Sequence, residues 1–138
     1  MIRLFSILAT AMLAASCQSE NKPVSAVNFS LEEVDPACAI GTISAMDGYE
    51  LTSEDRGSKR SRATFAVGGE ELLLNIRRSR GGGSEVYLSM LPSETENPLR
   101  RRAARLAVYG ADEAVYVNCT EDGRTYGGSG VSIEGQKE

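Results

Sequence analysis

One dipeptide constrains this chain more than any other feature. Gly68-Gly69 sits inside ATFAVGGEELLLNI, between two apolar runs. A two-residue type I′ turn needs positive φ at both central positions, and glycine adopts that freely. Such a turn fixes the pairing of its flanks. It sets Phe65 opposite Leu72 and Ala63 opposite Leu74, so the apolar residues coincide on one face. Beyond the loop RSRGGGS, Ile76 facing Val86 brings Leu74 against Leu88 and Leu72 against Met90. One register therefore aligns three strands, and the sequence predicts an antiparallel meander over about Ser61 to Leu91. Phe65, Leu72, Leu74, Ile76, Val86, Leu88 and Met90 should share its buried face. Leu73, Asn75, Tyr87 and Ser89 should share the other.

Similar turns suggest more strands. Asp47-Gly48 is read as joining a strand at Cys38–Met46 to one at Tyr49–Ser53. Leu106 opposite Val117 puts Val108 opposite Val115, with Gly110 to Glu113 as the loop. Asp122-Gly123 would fold back a last strand and set Glu121 against Arg124. Asn97-Pro98 carries the cap and first-turn signals of a helix, and Leu99, Ala103, Leu106 and Ala107 fall on one helical side. The stretch 98–109 thus reads as a short helix near 98–105 leading into a strand, or as strand throughout. The expected fold is mostly antiparallel β, a single small sandwich or barrel-like meander of seven or eight strands.

The chain opens MIRLFSILATAMLAASCQSE. Arg3 is followed by an uncharged run, Leu4 to Leu13, about half the length a hydrocarbon core requires. A positive start, a short apolar centre and a small-residue exit are the marks of a secretory signal peptide. Leu13-Ala14-Ala15-Ser16-Cys17 resembles the lipobox of bacterial lipoproteins. That family prefers leucine where Ala14 stands; here Leu13 lies one step further back. The resemblance implies cleavage before Cys17 and acylation of its thiol and new amino terminus. Gln18 after the cysteine implies the outer membrane, facing the periplasm. Cleavage after Ser16 by an ordinary signal peptidase would instead give a soluble secreted or periplasmic protein. The expected organisation is a signal peptide over 1–16, a lipid-anchored N-terminus and tether over 17–35, and a β domain over 36–135.

With Cys17 assigned to lipid, Cys38 and Cys119 are the only cysteines left. An even remainder in an exported chain reads as one disulfide. The chain has no histidine, so two cysteines offer no credible metal site. Net charge is −4 overall and one unit more negative from Cys17 onward, because Arg3 is the only charge before it. That balance does not suit nucleic acid, and no cofactor motif is present.

Catalytic signatures are missing too. There is no nucleophile elbow, phosphate loop or dinucleotide fingerprint. The adjacent acidic pairs Glu32/Glu33, Glu54/Asp55 and Glu70/Glu71 would point to opposite strand faces, so none could flank one bond alone. The conspicuous surface feature is arginine: Arg77, Arg78 and Arg80 around one loop, and Arg100, Arg101, Arg102 and Arg105 in another region. Guanidinium forks suit phosphate and carboxylate; a solvated face guarding strand edges would carry the same residues. The sequence therefore points to a membrane-anchored envelope lipoprotein, a non-catalytic binding or structural module whose partner would be an envelope polymer or protein. The alternative is a periplasmic inhibitor of a cell-wall hydrolase. Small lysozyme inhibitors share the disulfide-bearing barrel architecture, but their Ser-Gly-x-x-Tyr loop is absent.

Overall fold

The structure, a computed structural model, describes residues 22–121. The expected signal segment, Cys17 and the Asp122-Gly123 turn with its expected strand lie outside the described residues.

The meander forms with the expected register. β3 (Arg60–Val67) and β4 (Glu70–Arg78) meet at Gly68 and Gly69, whose φ values are 57° and 80°. Phe65 pairs with Leu72 and Ala63 with Leu74. On the other side β5 (Ser84–Met90) pairs Val86 with Ile76, Leu88 with Leu74 and Met90 with Leu72. All seven residues assigned to the inner face are buried. Gly83 is needed where it stands, since a Cβ there would run into the Ser30 backbone.

Two further strands complete the sheet. β2 (Tyr49–Arg56) pairs with β3 across an irregularity between Leu51 and Ser53. β1 (Val24–Ser30) pairs antiparallel with β5 and contributes Val24 and Ala26 to the core. It lies within the 17–35 span expected to be anchor and tether. The order is β1-β5-β4-β3-β2. Among the described residues there are five strands, not seven or eight, and the sheet is an open layer backed by helices rather than a sandwich or barrel.

Two expected strand regions are helical. Cys38–Met46 falls largely in α1 (Pro36–Ser44), which Asp35 caps by accepting from the Ala37 N–H at 3.1 Å. Pro36 at the first position suits such a start, and Ala39, Ile40 and Ile43 turn inward. Asp47-Gly48 therefore joins a helix to β2. The second correction is larger. The expected Leu106–Val117 hairpin and the short helix near 98–105 are one 22-residue helix, α2 (Pro98–Cys119). Its start is where the sequence placed it, with the Asn97 side chain accepting from the Leu99 and Arg100 N–H groups at 3.0 and 3.4 Å. It runs on because Ala104, Val108, Ala111, Val115 and Cys119 make a continuous helical stripe against the sheet. Of the residues read as sharing one helical side, Leu99, Ala103 and Leu106 are exposed and Ala107 is half-buried.

α2 packs on β1 and β5, and α1 on β2 and β3, so both helices cover one face. The Cys38–Cys119 disulfide joins them, with Cα atoms 5.8 Å apart and a sequence separation of 81. α2 also runs alongside β1. The Arg101 guanidinium donates to the Lys22 carbonyl at 3.2 Å, and the Glu121 N–H donates to the Glu32 carboxylate at 2.8 Å. Among the described residues no helix is long and apolar enough to cross a membrane.

Candidate functional site

The arginines sort into two groups at opposite ends of the sheet. At one end β3 begins and β4 stops. Register places Arg60 beside Arg77, and Arg77 beside Glu85 on β5. The backbone there is tied down: the Gly57 N–H donates to the Arg60 carbonyl at 2.9 Å, and the Arg78 N–H to the Lys59 carbonyl at 3.1 Å. The result is a concavity of about 620 Å³ lined by Lys59, Arg60, Arg77, Arg78, Ser79 and Arg80. A neighbouring hollow of about 510 Å³ shares Lys59, Arg60 and Arg78.

These charges are not equivalent. Two arginines directly across a strand pair repel. Arg77 relieves this by turning to Glu85 at 3.0 Å, while Arg78 bonds Glu33 at 3.1 Å. Both pairs are largely exposed, so they are weak and open to exchange with another anion. Lys59, Arg60 and Arg80 make no ion pair among the described residues. A positive groove on an acidic protein concentrates anions locally whatever the net charge. Lys59 and Arg60 were not among the residues singled out from sequence. The register that pairs Phe65 with Leu72 also pairs Arg60 with Arg77, so the signal was present.

The second group belongs to the first turns of α2. Arg100 reaches Glu70 at 3.1 Å and Glu94 at 3.7 Å. Glu70 is held below its ordinary carboxylate range by the Ser93 hydroxyl at 2.8 Å, with the Ser93 N–H at 3.0 Å and Arg100 adding to it. Arg101 is occupied by the Lys22 carbonyl, whereas Arg102 and Arg105 have no partner among the described residues. Glu70 and Arg78 mark the two ends of β4, which at ~3.4 Å per residue puts roughly 25 Å between the groups. The structure does not bring the seven arginines into one site.

Asp112 is the other residue the sequence reading missed, having placed it in a loop. It is 1 % exposed on the inner side of α2, and neither carboxylate oxygen has a hydrogen-bond partner. Burial raises its pKa from 3.8 to about 6. Among the described residues no countercharge faces it: α1 and β1 carry no ionisable side chain apart from the bonded Cys38, and Glu85 and Tyr87 of β5 lie on the opposite sheet face. Tyr49, at the start of β2, spends its hydroxyl on the Ala107 carbonyl at 2.8 Å.

Cationic forks around a groove can hold an oxyanion. Among the described residues no three His, Cys, Asp or Glu side chains converge. No protein-family model and no curated protein sequence matches this chain. The fold and the groove together define a small, disulfide-linked two-layer α+β domain with a cationic end.

Proposed function

We propose that the chain is an exported, lipid-anchored and non-catalytic binding module of the bacterial envelope. In this reading 1–16 is the signal peptide and Cys17 carries the lipid in the outer membrane. The groove at Lys59, Arg60 and Arg80 grips carboxylates of the cell-wall polymer. One observation carries the choice of ligand. The chain enters the domain at Lys22, at the Glu70 end of the sheet, and the groove lies roughly 25 Å away at the other end. A domain tethered there holds the free cations of the groove away from the bilayer. The hydrolase-inhibitor alternative rested on a barrel likeness, which an open sheet backed by helices does not supply.

Co-sedimentation with purified cell-wall sacculi tests the reading. The mature protein should pellet with them and be released by salt, since exposed charge contacts are screened. Arg60→Glu combined with Arg80→Glu should abolish pelleting without unfolding the domain. Equal pelleting of variant and parent would refute the groove. Intact mass should show acyl chains on the mature N-terminus, and a chain that starts at Cys17 without lipid would refute the anchor. Inhibition of lysozyme at stoichiometric protein would move the assignment to the inhibitor class.

A further inference from the structure

The first turns of α2 leave an apolar stripe uncovered. Leu99, Arg102, Ala103 and Leu106 are spaced i, i+3, i+4 and i+7, which stacks them on one side of the helix. This side faces away from the sheet, because Ala104, Val108, Ala111 and Val115 occupy the inner side. Leu99 is 75 % exposed and Leu106 67 %. Arg102 lies between them in sequence and Arg105 at the flank, and neither guanidinium is spent on a neighbour among the described residues. Exposed leucines edged by free cations are the composition of a helix that rests on a membrane surface.

Chain connectivity says which surface is near. Arg101, on the same turn of α2, bonds the carbonyl of Lys22 at 3.2 Å. Lys22 stands five residues after Cys17, and a fully extended chain of that length spans at most about 18 Å. If Cys17 is held in a bilayer, this end of α2 stays within that distance of it. We infer that the stripe Leu99, Ala103 and Leu106, with Arg102 and Arg105, docks on the anionic surface of the bilayer that anchors Cys17. The leucines enter the headgroup layer and the guanidiniums pair with lipid phosphates. Glu113, exposed and one heptad beyond Leu106, would be repelled by the same surface. The helix therefore docks by its first turns and lifts its far half, with the groove, off the membrane. This inference rests on the reading of Cys17 as the anchor.

The chain contains no tryptophan, so a single introduced one reports its own surroundings. Leu106→Trp and Arg80→Trp would be made in the mature chain and mixed with phosphatidylglycerol vesicles carrying a brominated quencher lipid. Both acylated and non-acylated protein would be used. Trp emission at 106 should shift to the blue and be quenched, and emission at 80 should do neither. In the non-acylated chain, Arg102→Glu with Arg105→Glu should weaken partition onto anionic vesicles at least ten-fold, since each arginine near such a surface is worth roughly five-fold. Partition onto zwitterionic vesicles should change little. An acylated chain whose position 106 stays unquenched overturns the docking face and leaves the anchor standing. Mature protein without acyl chains overturns the anchor, and the non-acylated partition then decides the face: binding lost in the double variant upholds it, and no binding by the parent ends it. Burial of position 106 against an envelope protein in the absence of vesicles also overturns it.

Discussion

Leu74 and Leu73 are neighbours on β4 with opposite fates. Leu74 is 2 % exposed beneath the helices; Leu73 is 45 % exposed on the bare side. The same holds along the strand, where Leu72 and Ile76 are buried while Asn75 and Arg77 are not. The covered face is apolar across β1, β5, β4 and β3 apart from its groove end, where Asn28 and Ser61 stand, and lies under α1 and α2. The bare face carries Arg62, Thr64, Leu73, Asn75 and Tyr87 around a shallow hollow of about 480 Å³. Backbone pairing is common to both sides, so it does not distinguish them. The difference teaches that the helices, not the sheet, set what a side chain contributes to stability.

The largest test removes the link between the covering helices. Replacing Cys38 and Cys119 with serine should cost about 4–5 kcal/mol in the chain-entropy model, given the 81-residue separation. Urea unfolding of oxidised wild type against the double variant measures it. A loss below about 1 kcal/mol would mean that the helices hold the face without their bond.

Next comes the leucine pair itself. Leu74→Ala should cost about 2–5 kcal/mol, the usual range for a buried leucine. Leu73→Ala should stay within about 1 kcal/mol, because nearly half of its surface stays in water and no helix covers it. Comparable losses from the two variants would erase the contrast between the faces.

Asp112 sharpens the comparison through pH. Its folded pKa of about 6 exceeds the ordinary 3.8. Below pH 4 both states are protonated and the carboxyl favours neither. As pH rises from 4 to 6 the unfolded chain ionises first, and native stability falls. Above pH 6 the full penalty, on the order of 3 kcal/mol, is present. Asp112→Asn removes that slope, so its stability relative to wild type should rise between pH 4 and 7. Parallel pH profiles would place a countercharge or water at the carboxylate.

How far the fold could be read follows the same physics. The meander was legible because turn geometry and alternation agree at Gly68-Gly69, and that agreement extended to Arg60 beside Arg77. The strand reading of Cys38–Met46 rests on the turn signal at Asp47-Gly48 and leaves out Asp35-Pro36, the cap and first-turn proline that start α1. In α2 the start at Asn97 was clear, but its continuation was not. Val108, Val115 and Val117 have strand preference, and Gly110 inside a helix costs about 1 kcal/mol; packing on the sheet overrides both. Leu99 and Leu106 are the largest apolar residues of the first turns, yet the side of α2 that meets the strands carries Ala104, Val108 and Ala111. The second arginine group was visible as a cluster, yet its distance from the first depended on a helix that the sequence reading had cut short.

The direction of β1 has a mechanical meaning. Val24, its first residue, pairs with Met90 at the end where the chain enters, and Ser30 pairs with Ser84 at the groove end. A domain anchored through Cys17 and holding a wall polymer in its groove would be pulled along the strand axis, with β1 drawn one way and β4 and β3 the other. Such a load shears the β1–β5 ladder. Its hydrogen bonds resist together rather than opening one after another, as they would if the strand were peeled sideways. If the proposed anchor at Cys17 holds, the placement of the first strand would make the joint between anchor and domain strongest in the direction in which an envelope under tension would pull it.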